Sequence, residues 1–305
     1  MVKFQKIHSR QLLALSTIVL LTIVSLLSYR LWRNNQFIFV GTEHGNSVGL
    51  YRLNLFGVGV SNLILSGSVN MPRWSPDGKK IVYVLSAGEH GSPPIHIATI
   101  NADGTNIKKL TEGEIRSYSP TWSPDGKKIA YVAALNYEGG GPNAIFIMNS
   151  DGSEKTQITP YAYYMDLSWS PDGEKIAYFT IEPIGIFLVS INGSYYQQIT
   201  DQWMDSYPVW SHDGEYIAFQ STRDDIDDHF DIYIMRQDGT NIQRLTTDPA
   251  HDRKPSWSPD DKKIIFESNR DSENDAVYHI YIMNMDGSGQ RRVSEINGIS
   301  PDWRP

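Results

Sequence analysis

The stretch WSPDGKKIAYV, residues 122–132, recurs four more times along the chain with few changes. The other copies read WSPDGKKIVYV from Trp74, WSPDGEKIAYF from Trp169, WSHDGEYIAFQ from Trp210 and WSPDDKKIIFE from Trp257. These tryptophans are 48, 47, 41 and 47 residues apart, and Trp303 follows after another 46. Self-similarity at this period is typical of propellers and other repeat arrays.

Each repeat has the pattern of four short strands. A strand ending in Trp leads into the turn S-P-D-G, where Pro presets φ and Gly accepts a positive φ. The next strand alternates: in KKIAYV, Ile and Tyr point to one side and Ala and Val to the other. After a variable loop comes a third strand such as IFIMN (145–149), then a second tight turn such as Asp151-Gly152, and a fourth strand. Four antiparallel strands per repeat predict one propeller blade.

The number of repeats predicts six blades. Five complete units begin at the five tryptophans from Trp74 to Trp257. A sixth blade is expected to take its outer strands from residues 36–66 and its inner strand from residues 299–303, which closes the ring and removes open sheet edges. The predicted fold is therefore an all-β, six-bladed propeller of four-stranded blades, closed by the C-terminal strand and preceded by one transmembrane helix.

The repeated Trp, Pro, Asp and Gly residues are interpreted as architectural. The Asp side chain is expected to bind amides of its turn, Gly to permit the turn, and Trp to cap the core between blades. His212 replaces the Pro in one copy and Asp261 replaces the Gly in another, and a turn tolerates both residues.

Leu12 to Tyr29 form a run of eighteen residues without a charge. As a helix this run would span roughly 27 Å, about the thickness of a bilayer's hydrocarbon core. Three basic residues precede it, which places residues 1–11 in the cytoplasm, a transmembrane anchor at 12–29 and the propeller at 32–305 outside. The expected location is the extracytoplasmic side of the cytoplasmic membrane, in the periplasm or at the cell surface. The alternative is a cleaved signal peptide and a secreted propeller.

Composition excludes some classes of protein. The chain has no Cys, so it holds no disulfide and no thiolate metal site. Residues 1–33 carry five of the 27 Lys and Arg and none of the 35 Asp and Glu, which leaves a formal charge of −13 on the remainder. Such an acidic domain is not expected to bind nucleic acid, whose backbone demands a positive surface. The propeller is expected to be monomeric.

The repeat resembles the TolB-type, or PD40 (WD40-like), propeller family, whose consensus P-x-W-S-P-D-G-K-x-I-A-[YF] is followed by I-Y-[VI]-M-N-x-D-G. The match covers residues 72–305, with a degenerate copy from residue 32. This resemblance implies a six-bladed propeller, commonly periplasmic or cell-surface, that often binds proteins. The resemblance also implies a difference, because TolB itself has an α/β domain before its propeller. No counterpart of that domain is expected here. No G-x-S-x-G elbow of a hydrolase is present either.

The chain order of the strands gives the propeller two different ends. The S-P-D-G and D-G turns share one end, here called the turn face. The loops between second and third strands share the opposite end, the loop face, with the connections between blades. The loop-face segments differ in every repeat, and binding tends to use variable loops on a rigid scaffold. Candidate binding residues on the loop face are Arg116, Tyr118, Tyr164, Trp203, Asp205, Tyr207, His251 and Asp252. This loop face predicts that the propeller binds a protein, peptide or glycan without catalysing a reaction.

An enzymatic alternative stays open. A metal-dependent polysaccharide lyase, or another hydrolytic enzyme, would use the channel mouth around Asp205, His251 and Asp252. His229 and His251 are predicted to approach each other across neighbouring loops. Candidate metal ligands are Asp224, Asp225, Asp227 and Asp228, whose carboxylates would suit Ca²⁺. Their loop lacks the Gly and the final Glu of an EF-hand, so no cofactor is expected.

Overall fold

The structure is a computed structural model that describes residues 35–42, 48–54, 61–64, 68–86, 95–113, 116–134, 141–160, 162–202, 204–224, 228–272 and 277–305. Within these residues no helix is long and apolar enough to cross a membrane. The predicted anchor at 12–29 lies outside the described part of the chain.

The described residues form six four-stranded antiparallel sheets, which confirms the predicted propeller. Blade 1 consists of β4 (Ser68–Trp74), β5 (Lys80–Ser86), β6 (Ile95–Asn101) and β7 (Lys108–Lys109). Blade 2 consists of β8 (Ser117–Trp122), β9 (Lys128–Ala134), β10 (Asn143–Asn149) and β11 (Thr156–Gln157). Blade 3 consists of β12 (Tyr164–Trp169), β13 (Lys175–Ile181), β14 (Ile184–Ser190) and β15 (Tyr196–Gln198). Blades 4 and 5 consist of β16 (Ser206–Trp210), β17 (Tyr216–Ser221), β18 (Asp231–Arg236), β19 (Gln243–Arg244); β20 (Asp252–Trp257), β21 (Lys263–Ser268), β22 (His279–Asn284) and β23 (Arg291–Arg292). Blade 6 consists of β24 (Asn297–Trp303), β1 (Gln36–Thr42), β2 (Val48–Asn54) and β3 (Ser61–Ile64).

Blade 6 joins the two ends of the propeller sequence. Its strand order is β24-β1-β2-β3, with Phe37 opposite Trp303 and Val40 opposite Ile299. The C-terminal strand is therefore the inner strand of a blade whose other strands come from the start of the propeller, as the sequence predicts. Residues 36–66, proposed for the outer part of this blade, contain its other three strands.

Alternation along the second strand of each blade builds the hydrophobic core. In β9, Ile129 and Tyr131 pack in the cluster shared with blade 1, while Ala130 and Val132 pack in the cluster shared with blade 3. Because successive side chains leave a strand on opposite sides, one strand contributes apolar side chains to the core layers on both sides of its blade. The core is thus a ring of layers between adjacent blades.

The S-P-D-G turns satisfy their own polar groups. In the turn after β8, the Ser123 hydroxyl donates to Asp125 (2.7 Å), and the Asp125 carboxylate accepts the Lys127 amide (3.0 Å). The Lys128 amide donates to Ser123 Oγ (2.9 Å). These hydrogen bonds hold the pKa of Asp125 below its usual range. Equivalent bonds recur in all five turns, which confirms their architectural role.

Each inner strand carries a β-bulge three residues before its Trp. The bulge residues have φ between 48° and 56°, an uncommon conformation for any residue but Gly. They are Met71, Ser119, Asp166, Tyr207, Lys254 and Ser300. A proline follows five of them, so the bulge also overrides the usual preference of a residue before Pro for extended backbone.

Candidate functional site

Asp205 and Asp252 occupy equivalent positions five residues before Trp210 and Trp257. Both side chains are completely buried. The Arg270 guanidinium donates to Oδ2 of Asp252 at 2.6 Å, and Arg223 forms the equivalent ion pair with Asp205. Burial raises the pKa of Asp252, and the charge of Arg270 opposes that rise.

The two ion pairs are part of one arrangement of Asp, Arg and two aromatic rings, which is repeated in blades 4 and 5. Arg270 also lies over the Phe266 and Tyr281 rings, with its Cζ atom 4.8 Å from the Tyr281 centroid. Arg223 lies in the same way over the Phe219 and Tyr233 rings. Since each carboxylate is bound by an arginine of its own blade, the arrangement stabilises the blade and leaves neither Asp as an exposed acid or base.

His229 and His251 approach each other, as the sequence predicts, with ring centroids 5.1 Å apart. Nδ1 of His251 accepts a hydrogen bond from the Phe230 amide at 3.2 Å. Among the described residues, no group of three or more His, Cys, Asp or Glu side chains is arranged to hold a metal ion.

The acidic loop after β17 is described only in part. The Asp224 carboxylate accepts the hydroxyl of Tyr233 (3.1 Å), and Asp228 is exposed with a φ of 60°. Asp225 and Asp227 lie outside the described residues, as does Trp203.

The remaining aromatic candidates separate into two environments. Tyr164 is buried and packs edge-on against Tyr178, with centroids 5.2 Å apart, so it belongs to the core of blade 3. Tyr207 is a bulge residue of the central channel. The Lys254 Nζ atom lies 5.5 Å from the centroid of the Tyr207 ring, and burial raises the pKa of Tyr207.

Arg116 and Tyr118 line a cavity of about 460 Å³. This volume lies within the range of small-ligand sites. The cavity lies on the loop face between blades 1, 2 and 3. Its other lining residues are Asn70, Met71, Val84, Ile95, Ala134, Gly141, Asn143, Tyr163 and Met165. Of the eight predicted binding residues, these two lie together in a cavity.

The bulge residues of the inner strands bring charged groups close together. The Lys254 ammonium donates to Ser300 Oγ (3.1 Å) and lies 3.4 Å from the buried Glu267 carboxylate. Burial raises the pKa of Asp166 to about 6, and the charge of Lys254 opposes this rise. Sequence reasoning missed the six bulge residues because they share no residue type. Their common signals are a position three residues before each Trp and, in five of the six, a proline directly after it.

The turn face has a cavity of its own at the end of the channel, with a volume of about 350 Å³. It is lined by all six repeated tryptophans. The indole of Trp122 donates to the carbonyl of Arg73 (3.2 Å), and that of Trp257 donates to the carbonyl of Val209 (3.1 Å). Each acceptor precedes the Trp of the neighbouring blade, so these bonds tie inner strands together around the mouth.

The two departures from the turn consensus contact each other at this mouth. The Asp261 carboxylate accepts the backbone amide of His212 (2.9 Å), its ring Nδ1 (2.8 Å) and the amide of Asp213 (2.9 Å). Where the consensus is kept, the Gly of one turn lies beside the Pro of the preceding blade's turn, as Gly214 does beside Pro171. The replacements at 212 and 261 are therefore a matched pair.

Fold and site together define the chain as a six-bladed β-propeller with uniform turns at one end, varied loops at the other and a closing blade built from both ends of the propeller. The sequence profile of the TolB beta propeller domain matches residues 58–225 and 144–305. These overlapping matches cover most of the chain, which belongs to the TolB beta propeller domain family.

Solved TolB structures have a similar fold. TolB from Acinetobacter baumannii is 19% identical with a TM-score of 0.74, over 90% of this chain and 67% of that protein. The putative TolB from Agrobacterium tumefaciens is 22% identical with a TM-score of 0.67, over 87% of this chain and 90% of that protein.

An enzyme shares the fold more distantly. Oligogalacturonate lyase from Vibrio parahaemolyticus is 15% identical with a TM-score of 0.55, over 82% of this chain and 74% of that protein. At such identities the likeness extends to the fold alone. No curated protein matches the sequence.

Proposed function

We propose that this chain is a membrane-anchored, extracytoplasmic propeller that binds a protein, peptide or glycan through its loop face, without catalysis. The observation that carries the proposal is the cavity lined by Arg116 and Tyr118, which opens among the segments that differ between repeats. A rigid scaffold with a variable, partly apolar cavity suits recognition.

The state of the carboxylates supports binding rather than catalysis. Asp205 and Asp252, the acids that an enzyme of this design would use, are buried in ion pairs with arginines. A general acid or base must reach the proton that it transfers. The apolar run 12–29 and the basic residues before it support the membrane anchor.

Site-specific photo-crosslinking in intact cells of the source organism tests the proposal. A photoreactive amino acid replaces Ile95 or Met165 on the loop face, and in the control it replaces Ile107, which is exposed beyond the D-G turn of blade 1. The expected result is a discrete crosslinked partner from the loop-face positions alone. Equal crosslinking from Ile107, or none from either loop-face position, would overturn the proposed binding face.

The anchor has a separate test. Cell fractionation should leave the chain in the membrane fraction, and external protease should digest the propeller in spheroplasts. Deletion of residues 1–31 should release it. A propeller that is released from spheroplasts without this deletion would contradict the anchor and support the cleaved signal peptide.

A further inference from the structure

Arg116 differs from the other arginines near the ends of the loop-face strands. Arg223, Arg253 and Arg270 each pair with a completely buried carboxylate of their own blade. The carboxylates of the described residues form no ion pair with Arg116, and its buried Nε has no acceptor among those residues. A buried donor without an acceptor is costly, so the guanidinium is prepared for an anion from outside the described chain.

Tyr118 offers a second donor beside it. Its hydroxyl accepts a hydrogen bond from Nδ2 of Asn143 (2.5 Å), and Oδ1 of Asn143 accepts the Tyr164 amide (2.8 Å). Because Oδ1 faces that amide, the Asn143 side chain has a fixed orientation and presents only its NH₂ group to the tyrosine. The Tyr118 proton must therefore point elsewhere, and no described residue accepts it. Burial raises the pKa of Tyr118, which keeps the proton in place at neutral pH.

The two donors lie on the same side of the inner strand. Arg116 immediately precedes β8, and Tyr118 is two residues further along, so their side chains leave the backbone in the same direction. Both line the 460 Å³ cavity. Arg116 and Tyr118 can each donate a hydrogen bond to one oxygen of the same carboxylate. Arg116 supplies the positive charge, and the Tyr118 hydroxyl fixes the orientation of the carboxylate.

Apart from Asn70, Asn143 and Tyr163, the rest of the cavity wall is apolar. Met71, Val84, Ile95 and Met165 contribute aliphatic or thioether groups. Met side chains adapt to the shape of an apolar guest. A sugar ring, whose hydroxyls need many hydrogen-bond partners, would leave most of those hydroxyls unmatched against such a wall. An aliphatic or aromatic side chain fits it better.

We propose that the cavity binds a carboxylate side chain, Asp or Glu, next to a large apolar residue in a partner polypeptide. The single positive charge favours a monoanion over a phosphate, whose second charge would be unmatched in a chain of net charge −8. This proposal rests on the proposed function and names the chemistry of the partner at the same site.

The test uses the full chain in detergent and a phage-displayed random peptide library. Wild-type protein should enrich peptides that contain Asp or Glu beside Leu, Met or Phe. Affinities of the enriched peptides are then measured by fluorescence anisotropy for wild type, Arg116→Gln, Arg116→Glu and Tyr118→Phe. The matched control is Arg236→Glu, because Arg236 is a half-exposed turn-face residue paired with Glu215.

Loss of a charge-assisted hydrogen bond should weaken peptide binding about tenfold in Arg116→Gln, and loss of one neutral bond roughly threefold in Tyr118→Phe. Arg236→Glu should bind like wild type. Changing the peptide's Glu to Gln should cost about tenfold with wild type and almost nothing with Arg116→Gln, because that variant has already lost the pairing. Arg116→Glu, if folded by circular dichroism, should select Lys and Arg instead.

Enriched peptides without an acid, or a Glu-to-Gln penalty that is the same in wild type and Arg116→Gln, would overturn the carboxylate site. So would binding of tri-galacturonate, a uronic-acid probe, where acidic peptides fail. These results leave the proposed function intact as long as loop-face crosslinks persist. Absence of the crosslinks, with peptide binding that depends on Arg116, would instead overturn the proposed function alone.

Discussion

The turn face and the loop face are built from the same strands, but their polar groups are used differently. On the turn face, Ser, Asp and backbone amides bind one another within each turn, and the indoles of Trp122 and Trp257 donate to carbonyls of the preceding blade. On the loop face, Arg116 and Tyr118 keep donors for which the described residues provide no acceptor. The repeated turn is easiest to see in the sequence, yet its Ser and Asp side chains are already hydrogen-bonded within the turn itself.

The loop face is itself divided. Over blades 4 and 5 its charged residues are matched within the blade, as in Arg270 with Asp252. Over blades 1 to 3, Arg116 has no ion-pair partner among the described residues and lies beside a largely apolar cavity. Charge alone therefore does not mark a binding site, and the missing partner is the informative feature.

The largest effect is expected from breaking a matched pair on the loop face. Asp252→Ala leaves Arg270, whose side chain is 14% exposed, without its carboxylate, and should cost about 3–5 kcal/mol of unfolding free energy. Urea unfolding measures the loss. Asp205→Ala, which breaks the equivalent pair with Arg223, should cost a similar amount.

The double variant Asp252→Ala, Arg270→Met is the control for this prediction. Removing both charges should recover most of the stability, because no unpaired ion then stays buried. An Asp252→Ala protein of nearly wild-type stability would show that the carboxylate is not structural, and would reopen its interpretation as a catalytic group.

A smaller, pH-dependent effect is expected at the closing blade. Asp302 accepts the Trp74 amide (2.7 Å), and burial raises its pKa to about 6, with the charge of Arg73 opposing the rise. An acid whose pKa is higher in the folded than in the unfolded state binds more protons when folded. Its contribution to stability is thus fully present below about pH 4 and is lost as the pH rises through about 6.

Asp302→Asn should remove this dependence while retaining an acceptor for Trp74. The stability difference between wild type and variant should change by about 2 kcal/mol between roughly pH 4 and pH 7, in favour of the variant at the higher pH. Urea unfolding across that range measures it. A difference that is the same at every pH would show that folding does not raise the pKa of Asp302.

The smallest effect is expected where the turn face departs from its consensus. Asp261→Gly removes the acceptor of three hydrogen bonds but relieves a non-glycine residue with a φ of 55°. Because the His212 side chain is 46% exposed, the ion pair itself contributes little.

Asp261→Gly should lower the free energy of unfolding by up to about 1 kcal/mol. Adding His212→Pro should restore about half of that loss or more. Thermal unfolding of both single variants and the double variant gives the coupling. Fully additive effects would show that the replacements at 212 and 261 are independent.

Much of the fold was predictable because it is encoded locally. The S-P-D-G turns, the alternation in KKIAYV and the spacing of the tryptophans each reflect interactions within one blade or between neighbours. The closing blade was predictable too, since a ring of five complete units needs the residues around Trp303 to pair with those around Phe37. The approach of His229 to His251 followed from the adjacency of their loops.

The partners of charged side chains were not predictable in the same way. Asp205 and Asp252 were identified as candidates from their positions, but the sequence does not show that Arg223 and Arg270 fold back over aromatic rings to reach them. The left-handed bulges were missed because their residue types vary from Met71 to Lys254. Sequence reasoning selected Arg116 and Tyr118, but their lack of acceptors is a three-dimensional property.

The closing blade also determines the orientation of the propeller relative to a tether at its N-terminal end. β1 starts at Gln36 beside Trp303, and the Arg304 guanidinium donates to the Gly78 carbonyl (2.7 Å), so the chain enters and leaves the propeller at the turn face. A tether attached before residue 35 would bring the tryptophan-lined mouth toward its point of attachment. The cavity around Arg116 would then point toward the surroundings, in the direction from which a second molecule arrives.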